Sequence, residues 1–254
     1  MTIHTTYKIL IIGMCLVLLI GVVSSAPMRI AFVSSNTMYS AENDTVFATN
    51  VYENRTLFAE DVGWVVNASF MSLDKYVDNT TILSDNYRDA FNITIVNGSV
   101  NAFGKVPRVE GSPDLVVVLY PHYIGTYSDA KLKPPGLDTK DDGRGYDTVR
   151  IPADDYRMPM FIHEVAHAQF GLGDTYCGNT HYQTGINIWK SYEECFEATN
   201  NPQCVQIKSD TCSKPYWKIQ TADDLMQFTY AGARFDHVSS INIRKMLSKY
   251  LTYA

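Results

Sequence analysis

No cysteine stands between Cys15 and Cys177, and no two cysteines anywhere are spaced CxxC. That absence removes the close-spaced ligand pairs typical of a structural zinc knuckle or ribbon. The chain also lacks a basic patch: its 21 Lys and Arg are outnumbered by 27 Asp and Glu, for a formal charge of −6. A nucleic-acid partner is not expected, because phosphate binding needs a positive surface. After residue 23 no apolar run approaches the roughly 20 residues needed to span a bilayer, so no stable membrane partner is expected either. Asp138, Asp141 and Asp142 sit in the Pro/Gly-rich stretch Lys131–Gly145 without EF-hand spacing. That stretch reads as a solvated loop rather than a calcium site.

What is present begins with a leader. Lys8, the apolar run Ile9–Val23 and the small residues Ser24, Ser25 and Ala26 predict a secretory signal peptide over residues 1–26. The apolar run is about 15 residues, so a retained N-terminal anchor is the less favoured alternative. Loss of Lys8 with the leader leaves a formal charge of about −7 on the secreted or extracellular chain. The remaining residues are expected to form one domain of two lobes, 27–176 and 177–254. At 46% hydrophobic and 19% charged, the composition supports a packed core.

Cys177, Cys195, Cys204 and Cys212 then crowd into one short segment. In an exported protein this predicts two disulfides, with three pairings open. Six Asn-x-Ser/Thr sequons begin at Asn43, Asn54, Asn67, Asn79, Asn92 and Asn97, all in the first lobe. They predict a glycoprotein whose sequon side chains face solvent.

Local patterning predicts strands at Met28–Ser34, Asn92–Val96 and Asp114–Tyr120, the last a continuous apolar run suited to a buried central position. Tyr146–Pro152 reads as an edge strand and Ser84–Phe91 as a short helix. Leu57–Tyr76 is ambiguous between helix and strand. Ile186–Ala198 has helical periodicity, and Asp236–Leu251 reads as an amphipathic helix burying Val238, Ile241, Met246, Leu247 and Leu251.

The stretch that carries chemistry is 158–176, MPMFIHEVAHAQFGLGDTY. His163 and His167, four apart on a helix, share one face about one turn apart. Two neutral ring nitrogens so placed can meet one zinc ion, with Glu164 beside its water. Random shuffling of this composition yields an HExxH in roughly 0.4% of cases, so chance is a weak rival. Pro159 suits a first helical turn, and Asp154 or Asp155 is a candidate cap. A catalytic zinc needs a third protein ligand. Asp174 qualifies if the chain turns back at Gly171 and Gly173, since a continued helix would carry it about 10 Å away along the axis. Glu193 and Glu194 are the alternatives, with His181 weaker, while His122 reads as structural.

His163-Glu164-Val165-Ala166-His167-Ala168-Gln169-Phe170-Gly171-Leu172-Gly173-Asp174-Thr175-Tyr176 resembles the signature HExxHxxxGLxDEY of the zinc peptidases named for IgA cleavage, a metzincin-like group. Thr175 departs, standing where that family carries Glu. The resemblance implies an α+β, metzincin-like fold: a mixed sheet with an active-site helix, and a smaller C-terminal lobe holding a Met-turn and a terminal helix. It also implies that the strand at Tyr146–Pro152 borders the cleft and pairs with an extended substrate. Ala222–Met226 resembles the Met-turn, with Met226 as apolar floor. Phe228 stands where many metzincins carry Tyr, and Tyr230 is a candidate phenol for oxyanion stabilisation. The expected activity is exported, zinc-dependent hydrolysis of a protein or peptide, with His163, His167 and Asp174 as ligands and Glu164 as general base. The alternatives are an exported zinc-binding or adhesion domain without catalysis, and a zinc amidohydrolase acting on a non-peptide substrate.

Overall fold

The computed structural model describes residues 26–40, 45–101, 109–111, 113–121, 147–152, 158–176, 185–208, 215–227 and 232–251. The leader through Ser25, Asn43, His122, the loop 131–145, Tyr146, Asp154, Asp155, Cys177, His181, Cys212, Phe228 and Tyr230 lie outside them. Among the described residues no helix is long and apolar enough to cross a membrane.

Strand β1 (Met28–Ser35) is flanked by β4 (Phe91–Val100) and β5 (Leu115–Tyr120), and β6 (Asp147–Pro152) pairs with β5 on the far side. Every pairing in this four-stranded sheet is parallel. The protein is thus mixed α/β, compatible with α+β, and the expected mixed sheet is corrected to a parallel one among the described strands. The physical reason lies in the connections. Parallel neighbours need long crossovers, and the spans between β1, β4 and β5 supply them. Two short antiparallel pairs stand apart: β2 (Thr37–Ser40) with β3 (Thr45–Ala48), and β7 (Cys204–Ile207) with β8 (Tyr216–Ile219).

Helix α1 (Arg55–Ala68) resolves the ambiguous stretch. The Asn54 side chain accepts hydrogen bonds from the Thr56 and Leu57 N–H groups, and this cap starts a helix where periodicity alone was silent. A 3₁₀ segment, Phe70–Lys75, follows. The short helix expected at Ser84–Phe91 is only a 3₁₀ turn, Tyr87–Ala90. Tyr87 Oη there donates toward the Met71 carbonyl and the Asp74 carboxylate, which holds the turn against the preceding segment.

Helix α2 (Met158–Phe170) carries the HExxH motif. With α1 and α4 (His237–Leu247) it packs on one face of the sheet, in a cluster containing Met28, Ile30, Phe32, Leu115, Val117 and Leu119. The intervening sheet residues Ala31, Val33, Val116 and Val118 build a second cluster on the other face. Strand β5 is buried on both faces, as its continuous apolar run requires. Leu225, Met226, Phe235, Ile243 and Leu247 join the first cluster, so residues from both expected lobes share one core.

Two details depart from periodicity. The second helical stretch is shorter than expected, α3 spanning only Tyr192–Thr199. Helix α4 buries Ser239, Ser240, Ile243 and Leu247, while Val238, Ile241, Met246 and Leu251 are only partly covered. Ser240 tolerates burial because it is engaged: its Oγ donates to the Phe235 carbonyl and accepts from the Asp78 N–H, whereas the buried Ser239 hydroxyl has no partner among the described residues. Small hydroxyls let that face approach closely, at a desolvation cost those bonds offset at Ser240.

Candidate metal centre

The site is assembled by the way α2 ends. Gly171 has φ +65°, a left-handed end to the helix, and the Leu172 N–H reaches back to the Ala166 carbonyl at 3.2 Å. This reversal sends residues 172–174 back along the helix instead of beyond it. The Leu172 carbonyl then lies 2.7 Å from His167 Nδ1, and the Leu225 carbonyl lies 2.9 Å from His163 Nδ1. A carbonyl can only accept, so both Nδ1 atoms carry hydrogen, and each neutral ring directs an Nε2 lone pair the other way.

Those two Nε2 atoms lie 3.0 Å apart, and Asp174 Oδ1 is 3.2 Å from each. His163, His167 and Asp174 are all buried, and the three form a group able to hold a metal ion. Asp174 Oδ1 is itself buried without a hydrogen-bond partner. Three buried acceptors converging within 3.2 Å repel one another unless a cation or proton sits among them. Burial pulls His163 toward neutrality, but the bond to Asp174 and the charges of Glu164 and Asp174 outweigh it and lift its pKa to about 9. Asp174, despite burial, is held at about 2 by the two histidines. The electrostatics of the triangle thus already favour positive charge at its centre.

The donor set expected from sequence is therefore the one brought together. Glu193 and Glu194 lie exposed on α3, and Glu194 accepts from the Lys190 N–H, so neither joins the group. Glu164 is half-buried beside the ligands, and desolvation raises its pKa against the opposing pull of the two histidines. Met226 is fully buried, and its carbonyl accepts from the Thr175 N–H at 3.1 Å, which ties the expected Met-turn to the ligand loop. Thr175, the departure from the signature, has a role here: its Oγ1 donates to buried Asp224 at 2.5 Å. A glutamate there would set two carboxylates against each other.

Three further residues escaped sequence reasoning. Asn187, fully buried, accepts from the Gly173 N–H at 2.7 Å and donates to the Gly173 carbonyl at 3.0 Å. Gly185 packs so tightly there that a β-carbon would stand 2.1 Å from Gly173 N. Tyr216 on β8 has a buried hydroxyl without a partner, and burial together with the charges of Asp174 and Asp224 pushes its pKa up. Tyr176 is pushed up likewise, by burial and then by Asp174 and Glu164. Both phenols stay protonated and remain hydrogen-bond donors.

A second buried ionic group lies beside Met226, whose N–H donates to Asp224 Oδ1. Asp236 caps α4 by accepting from the Ser239 N–H, yet burial and then the charge of Asp224 raise its pKa to about 6, with Lys218 opposing. An acid whose folded pKa exceeds its unfolded value binds extra protons in the fold. Its contribution to stability is therefore complete below about pH 4 and declines as pH rises through about 6. Asp236→Asn keeps an oxygen for the cap and removes the charge. Chemical denaturation between pH 4 and 7 should show a flatter profile and roughly 1–2 kcal/mol more stability at pH 7 than wild type. An unchanged profile would place the titration elsewhere.

The segment that follows the metal helix is stapled by a Cys195–Cys204 disulfide, packed with Ile219, Trp189 and Trp217. Of the two disulfides expected, this one joins cysteines nine residues apart, and Cys177 and Cys212 lie outside the described residues. Comparison with protein-family models, with curated proteins and with solved structures finds no match to this chain.

Proposed function

We propose that this chain is an exported zinc-dependent metallopeptidase in which His163, His167 and Asp174 hold the metal and Glu164 is the general base. The observation that carries this reading is the convergence of three buried lone-pair donors beside a half-buried glutamate. Two imidazoles and one carboxylate favour zinc over calcium or magnesium, which prefer all-oxygen shells. Tetrahedral bonds of about 2.0–2.1 Å hold their ligand atoms roughly 3.3 Å apart, close to the 3.0–3.2 Å separations here. The leader and the sequons support export.

Bound zinc would supply a Lewis acid that polarises the scissile carbonyl and acidifies water. Glu164 takes the proton of the attacking water and passes it to the departing amine, the C–N bond breaks, and no covalent enzyme intermediate forms. Its raised pKa moves it toward the range in which a carboxylate exchanges protons well near neutrality. Tyr216 and Tyr176, protonated and sensing Asp174, are the phenols best suited to donate to developing oxyanion charge.

The test is metal content by mass spectrometry on the secreted protein, alongside casein cleavage. One zinc per chain, activity abolished by a chelator and restored by zinc, is the expected result. Zinc without cleavage of casein or a broad peptide panel would favour the binding domain or the amidohydrolase instead. Absence of zinc would end the enzyme reading.

A further inference from the structure

Strand β4 has the composition of a sheet edge that should aggregate. It pairs with β1 and, among the described strands, with no other. Its ten residues, FNITIVNGSV, include no charge and no proline, and Ile95 is 44% exposed. An uncharged, β-branched edge of this length is a template for strand addition by a second copy. Proteins blunt such edges with lysine, proline, bulges or covering segments. Here the register with β1 shifts between Ile95 and Ser99, a bulge with Gly98 at φ +101°, but the Phe91–Ile95 half pairs regularly.

The same ten residues hold two sequons, Asn92-Ile93-Thr94 and Asn97-Gly98-Ser99. Asn92, Thr94, Asn97 and Ser99 are all exposed. Asn92 and Asn97 line a cavity of about 790 Å³ together with Arg29, Val33, Val96 and Val109, on the sheet face away from the helices. Every other described sequon asparagine is exposed as well: Asn54, Asn67 and Asn79. Asn54 even caps α1 through Oδ1 alone, leaving Nδ2 free.

We propose that Asn92 and Asn97 are N-glycosylation sites and that their glycans are the edge protection of this sheet, doing what lysine or proline does elsewhere. In the transfer, Nδ2 of the asparagine attacks C1 of an oligosaccharide carried on a lipid pyrophosphate. The N–C1 bond forms, the C1–O bond breaks, the amide proton leaves to a base, and the lipid pyrophosphate departs. Exposure in the folded strand lets the hydrated glycans remain, rising from the sheet face at its edge strand and crowding the approach of a second strand. This assignment is independent of the metal centre.

The experiment uses the full chain secreted from eukaryotic cells. Digestion with peptide N-glycosidase in ¹⁸O water, followed by peptide mapping, should label Asn92 and Asn97. Asn92→Gln/Asn97→Gln should then form thioflavin-positive aggregates at a concentration at least several-fold below that needed by Asn67→Gln/Asn79→Gln. Wild type trimmed after folding by an endoglycosidase that leaves a single N-acetylglucosamine and creates no new charge should do the same, which separates edge protection from a folding defect. Adding Ile95→Lys to the double variant should restore solubility. Unlabelled Asn92 and Asn97 would overturn the proposal. So would occupied sites whose removal leaves the protein monodisperse.

Discussion

Asp174→Ala should be isolated without zinc while Glu164→Ala keeps a full equivalent, and both should fall to background in casein hydrolysis. The two outcomes separate holding the metal from using it. Asp174 Oδ1 is one corner of the donor triangle, 3.2 Å from both imidazole nitrogens, and the only anionic one. Its loss leaves two neutral ligands in a buried site with nothing to balance the ion. The fall in affinity should exceed the roughly 10–100-fold seen when a ligand's outer partner is removed. Glu164 interacts electrostatically with both histidines and Asp174 without belonging to the triangle, so its removal spares the metal. What it removes is proton transfer, a contribution of about 10²–10⁴-fold in rate. Full zinc in Asp174→Ala would move the third ligand elsewhere. Undiminished turnover in Glu164→Ala would end its assignment as base.

How much of this centre could be read from sequence follows the range of the interactions. His163, Glu164, His167 and Asp174 lie within twelve positions, and helix pitch plus a left-handed glycine fix their relations locally. Gly171 was legible as the reversal point for that reason. The groups that orient the ligands were not legible. The Leu225 carbonyl reaches His163 across 62 positions, and Asp224 reaches Thr175 across 49. Such bonds leave no periodic trace. Tyr216, with its lone hydroxyl, belongs to this class, whereas Met226 was found through its resemblance to a Met-turn. The core showed the same division. A continuous apolar run marked β5, since burial on both faces leaves a direct signature. The buried face of α4 was misplaced because Ser239 and Ser240 replace apolar residues there, and the Ser240 hydroxyl is satisfied by a carbonyl and an N–H from outside the helix. Sheet direction was missed because parallel and antiparallel strands with both faces covered share one pattern.

Asn187 is the sharpest case of a long-range determinant, and its removal should weaken the metal centre without touching a ligand. Its amide satisfies both backbone polar groups of Gly173, in the manner of a neighbouring strand. Gly173 precedes Asp174, so this pair of bonds sets the direction from which the carboxylate enters. Asn187→Ala leaves a buried N–H and a buried carbonyl unpaired, at about 1–3 kcal/mol each, and the loop relieves that cost by moving. Zinc affinity should drop roughly 10–100-fold, the range for lost outer partners. Cobalt substituted into the site should show an altered visible spectrum, which a distant destabilisation would not produce. Ile243→Val, in the core on α4, is the matched control: some stability lost, affinity and spectrum intact. Asn187→Asp keeps the acceptor for the Gly173 N–H but opposes the carbonyl, and should fall between wild type and alanine. Gly185→Ala reaches the same loop by another route, because its β-carbon would press on Gly173 N and Cα. If folded Asn187→Ala binds zinc as wild type does, with the same cobalt spectrum, the clamp serves stability alone. A centre whose affinity tracks this one amide would show that the third ligand is held by a residue thirteen positions downstream of it.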